Sequence, residues 1–60
     1  MIYSTQAEAT QAAKELAALG KRNTRFLVCR TAQGFRLWPG MNFAEIDAKP
    51  QSYRTVAVIA

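Results

Sequence analysis

Residues 5 to 20 constrain the fold most. Thr5-Gln6-Ala7-Glu8 is a capping box: a threonine hydroxyl and a glutamate three residues on satisfy the orphan backbone donors that open a helix. An alanine-rich stretch without a breaker runs to Leu19, and Gly20 is the expected left-handed stop. At 100° per residue, Ala9, Ala12, Ala13, Leu16, Ala17 and Leu19 share one face. Glu8, Thr10, Gln11, Lys14, Glu15 and Ala18 share the other. A buried stripe made mostly of alanine lets a helix lie close on a sheet while adding little apolar area. The rest of the chain must therefore supply that sheet.

Residues 24–31 and Phe35-Arg36-Leu37-Trp38 read as two strands around Ala32-Gln33-Gly34, the second stopped by Pro39-Gly40. A type I turn over Thr31–Gly34, with Gly34 left-handed, gives a three-residue hairpin. That register sets Thr31 opposite Phe35, Arg30 opposite Arg36, Cys29 opposite Leu37 and Val28 opposite Trp38. One face is then Leu27, Cys29, Phe35 and Leu37, and the other Phe26, Val28, Arg30, Arg36 and Trp38. Asn42-Phe43-Ala44-Glu45 repeats the capping-box pattern, so a helical turn fits there, as does a short strand over 43–48. Lys49-Pro50-Gln51-Ser52 is a loop. Tyr53–Ile59 is a strand, apolar at both parities after Thr55, as expected of a strand covered on both faces or by another molecule. Met1 to Ser4 fit a short edge strand.

The expected fold class is α+β: one two-layer domain spanning residues 1–60, in the order (β)-α-β-β-β. One N-terminal helix packs on a three- to four-stranded antiparallel sheet. Sixty residues bury only about 60% of the unfolded chain's surface, so self-association is a standing expectation.

With no histidine and a single cysteine, Cys29, the chain lacks the roughly four ligands of a structural zinc site, and no internal disulfide can form. A lone thiol in the run Phe26-Leu27-Val28-Cys29 fits a reducing compartment and inert packing. The N-terminus carries no signal-peptide pattern, and no apolar run approaches the ~20 residues of a membrane span, so a cytoplasmic protein without membrane, metal or cofactor is expected. Catalysis is poorly provided for. The usual general base is missing, and Ser4, Thr5, Ser52 and Thr55 have no basic partner at triad-like positions. Glu45 and Asp47 read as solvated surface, and Gly20, Gly34 and Gly40 form no phosphate-cradling loop.

Charge points elsewhere. The net charge is +4, and from Leu16 to Ala44 the chain holds Lys21, Arg22, Arg25, Arg30 and Arg36 with no acid. In the expected register Arg30 and Arg36 are directly opposed beside Trp38 and Phe26. An anion over them would relieve the repulsion, and the indole could stack a base. The candidate site is thus Lys21, Arg22, Arg25, Phe26, Arg30, Arg36 and Trp38. The same residues also have ordinary roles: arginines splayed into water, cations complementing the helix end, and Trp38 covering the core edge under Phe43 or Tyr53. Two functional classes are expected of such a chain. One is a nucleic-acid-binding accessory protein. The other is a protein-interaction module, either a homodimer or an inhibitor of a larger partner. The aromatic signature of RNA-recognition sheets, the GXXG loop and helix-turn-helix spacing are absent.

Overall fold

The computed structural model describes residues 1–20 and 25–59. Helix α1 (Gln6–Leu19) precedes strands β1 (Phe26–Thr31) and β2 (Gly34–Pro39), a short helix α2 (Phe43–Asp47) and strand β3 (Arg54–Ile59). The sheet is antiparallel with spatial order β2-β1-β3, so β1 is central. Tyr3 adds one bridge outside β2, exchanging two 2.8 Å hydrogen bonds with Phe35. The α+β class and the antiparallel sheet are as the sequence indicates.

Helix α1 starts where its cap dictates. Thr5 Oγ1 accepts from the Glu8 backbone N–H at 3.2 Å, and its hydroxyl donates to Glu8 Oε1. At the other end Gly20 is extended (φ −69°, ψ 140°) rather than left-handed. Its N–H still reaches the carbonyls of Ala17 and Leu16. Ala9 and Ala13 are fully buried, which brings the helix onto the sheet as an alanine stripe should. Leu16 and Leu19, expected on the same face, are exposed.

The hairpin corrects the expected register by one residue. Thr31 lies opposite Gly34, Arg30 opposite Phe35, Cys29 opposite Arg36, Val28 opposite Leu37 and Leu27 opposite Trp38. Only Ala32 and Gln33 form the loop, and the Thr31 hydroxyl closes it by donating to the Gly34 carbonyl and accepting from the Gln33 N–H. Gly34 has φ +138°, and a Cβ there would stand 2.7 Å from the Tyr3 carbonyl oxygen. The turn thus needs glycine for both its conformation and the approach of residue 3.

This register follows from which strand is central. The expected pairing gathered Leu27, Cys29, Phe35 and Leu37 on one face and left both arginines on the other. Instead β1 is covered on both sides, with Leu27, Val28 and Cys29 all buried. Helix α1 covers the face of Phe26, Val28, Phe35, Leu37, Ala57 and Ile59. The segment containing α2 covers the other face, where a Cβ on Gly40 would lie 3.1 Å from Leu27 Cγ. Helical turns, not a strand, form over 43–47, with Asn42 Oδ1 capping the Glu45 N–H at 2.9 Å. Strand β3, expected to be covered on both faces or to have one side occupied by another molecule, is an edge with Val56 and Val58 exposed, so the first alternative does not hold within the chain. A bulge at Val56 interrupts its pairing with β1 between Val28 and Cys29.

Candidate functional site

The register decides where each candidate side chain goes, because directly opposed residues share a face. Phe26 and Arg30 lie on the helix side of the sheet. Arg36 and Trp38 lie on the other side. The face expected to carry Phe26, Arg30, Arg36 and Trp38 together therefore does not exist. Phe26 is half-buried against the cluster of Ala9, Ala13 and Val28.

Trp38 serves the fold. Its Nε1–H donates to the Glu45 carbonyl oxygen at 2.7 Å, and its ring meets Tyr53 edge-on at 5.9 Å. Tyr53 is one of the two neighbours the sequence offers for it; the other, Phe43, is 85% exposed. The half-buried Arg36 places its guanidinium carbon 5.9 Å from the Tyr53 ring centroid, within cation–π range. The chain from Pro39 to Tyr53 is thus held on the sheet by an indole, a phenol and a guanidinium.

The exposed cations regroup around a different pair. Arg30 is directly opposite Arg54 of β3, on the helix side of the sheet. Their Cβ atoms are expected about 5 Å apart in such a pair. The row runs Tyr3, Phe35, Arg30, Arg54: two aromatics, then two exposed guanidiniums. The adjacent row holds Arg36, Cys29 and Thr55 on the opposite face, and Lys49 Nζ donates to Thr55 Oγ1. Four cations from β1, β2, β3 and the loop before β3 therefore surround the hairpin end of the sheet. Arg25 is exposed at the other end of β1, five residues or about 17 Å from Arg30. Lys21 and Arg22 lie outside the described residues.

Arg54 and Lys49 are the residues that sequence reasoning missed. They sit near the acids in the chain, and only pairing with a central β1 carries the start of β3 to the end of β1. The both-sided apolar run Phe26–Cys29 suits a central strand, but Val56–Ile59 is equally apolar and lies at the edge, so the pattern did not choose between them. Glu8, Gln11 and Glu15 line a shallow groove with Tyr3, Ala7 and Ala12 along α1.

Cys29 is fully buried, and its Sγ contacts the Leu27 carbonyl at 3.8 Å. Burial pushes the thiol above its ordinary value, against smaller opposing effects of Thr55 and Lys49. Among the described residues no group of three histidine, cysteine, aspartate or glutamate side chains could hold a metal ion. Among them, too, no helix is long and apolar enough to cross a membrane. No family model, curated protein or solved structure matches the chain.

Proposed function

We propose that this chain is a cytoplasmic, non-enzymatic binding module that grips the phosphate backbone of a nucleic acid with the hairpin end of its sheet. The observation that supports it is the direct opposition of Arg30 and Arg54 on one face, with Arg36 and Lys49 at the same end of the sheet on its other face. Two like charges held opposite each other cost a few tenths to about 1 kcal/mol, and a phosphate between them turns that cost into attraction. Guanidinium groups suit the task because each can make paired hydrogen bonds to one phosphate. Trp38 takes no part in this reading, since its N–H and ring are both engaged within the fold. Tyr3 and Phe35 pack against the core beneath helix α1, so the reading rests on the cations and not on a stacking aromatic.

The test is a titration of duplex and single-stranded DNA against salt. Four phosphate contacts predict a slope of log K on log salt of roughly −3 to −4 on duplex, at about −0.9 per contact. Binding that does not change with salt removes the proposal. A steep slope that persists in Arg30→Ala/Arg54→Ala moves the site elsewhere.

A further inference from the structure

We infer that the open edge of β3 is where a second copy of this chain pairs, antiparallel and about a two-fold axis near Val58. The inference is independent of the phosphate-binding reading, because it uses the outer edge of the sheet rather than its hairpin end.

The other outer strand, β2, is partly closed by the Tyr3 bridge, whereas β3 has no strand beyond it among the described residues. Exposed edges usually carry a lysine, a proline or an inward charge as protection. From Thr55 to Ile59 this edge carries none, and Val56 and Val58 are 38% and 56% exposed. Its protective features are the exposed Arg54 at its start and the bulge at Val56, and together they confine regular pairing to the residues after the bulge.

The occupant follows from self-complementarity. With an axis near Val58, Ala57 of one copy meets Ile59 of the other, extending the half-buried helix-side surface. On the opposite face Trp38, Leu27 and Val58 form one row, and Val58 meets its own copy at the row's end. Arg54 of each copy falls outside the paired segment, so no two arginines are brought together. A closed two-fold interface of this kind joins two three-stranded sheets into one of six strands.

The small core points the same way. The largest fully buried side chains are Val28 and Cys29. The chain exposes 4404 Å², against about 3,900 Å² expected for a folded monomer of 6.7 kDa.

Sedimentation of the whole chain in reductant, from one to about 100 micromolar, tests the inference, since association is concentration-dependent. The expected result is twice 6.7 kDa at tens of micromolar, falling to 6.7 kDa for Val58→Lys with an unchanged far-ultraviolet spectrum. A wild-type monomer throughout overturns the inference, as does a dimer that survives Val58→Lys. Should that variant lose its folded spectrum, amide exchange on the wild type decides. Protection of β3 amides that grows with concentration supports pairing, and protection that does not change overturns it.

Discussion

The Trp38 indole nitrogen lies 2.7 Å from the Glu45 carbonyl oxygen, which ties β2 to the short helix α2. Through this contact a residue read as a base-stacking candidate becomes the clasp of the second layer. Removing the N–H while keeping a ring separates the two roles. Trp38→Phe leaves a carbonyl oxygen without its partner and should cost about 1–2 kcal/mol in urea unfolding. DNA affinity of the folded fraction should not change; a selective loss of affinity with unaltered stability would place the indole at the ligand instead.

Arg30→Ala/Arg54→Ala should reduce the salt slope on duplex DNA by about two units, close to 0.9 for each lost contact. Its thermal stability should stay level or rise slightly, because the variant removes a like-charge opposition. Arg36→Ala should behave differently. It should lose a cation–π contact worth about 0.5–1 kcal/mol along with its phosphate contact. Equal effects of the two variants on unfolding would contradict the placement of Arg36 over Tyr53.

Gly34→Ala should be among the most damaging single-atom additions in the chain. The new methyl group meets the Tyr3 carbonyl oxygen at 2.7 Å, and the backbone stands at φ +138°. Strain at such a position costs on the order of 1–3 kcal/mol before any loss of the Tyr3 bridge. A chemical-denaturation midpoint equal to wild type would show that the hairpin closes by another route.

Cys29 should react slowly with a thiol reagent in the native state and rapidly in denaturant. Its proton is held more tightly when folded than when unfolded, because burial disfavours the thiolate. As pH rises through the ordinary value of 9.0, the unfolded chain loses this proton first, so stability falls from there toward the higher folded value. Cys29→Ala should lack that part of the alkaline loss. An unchanged alkaline profile in the variant would show that the thiol does not contribute.

Local signals carried much of the architecture. The cap at Thr5, the uninterrupted alanines and the breakers at Gly34, Pro39 and Pro50 depend on neighbours within a few residues, so the helix, the hairpin and the last strand were all legible. Asn42 and Glu45 signalled a helical turn, but a five-residue element is too short for periodicity to separate helix from strand. Gly20 ended the helix in an extended conformation, with its N–H on the carbonyls of Leu16 and Ala17, and not in the left-handed geometry that glycine permits.

The register was not legible, and the site depended on it. Alternation fixes register only when one face of a strand is wet. In Phe26–Cys29 both faces are covered, so a shift by one residue exchanges one apolar set for another and local sequence gives little preference. The arginine pair failed for the same reason: Arg30 meets Arg54 rather than Arg36, a contact across 24 residues.

Sequence alone determined the helix, the turns, the absence of histidine and a second thiol, and the excess of positive charge, since each is a property of composition or short-range chemistry. Tertiary structure decided that β1 is central, and with it which cations gather and which aromatic becomes a clasp. A central strand is defined only by what lies on either side of it, and those neighbours come from distant parts of the chain.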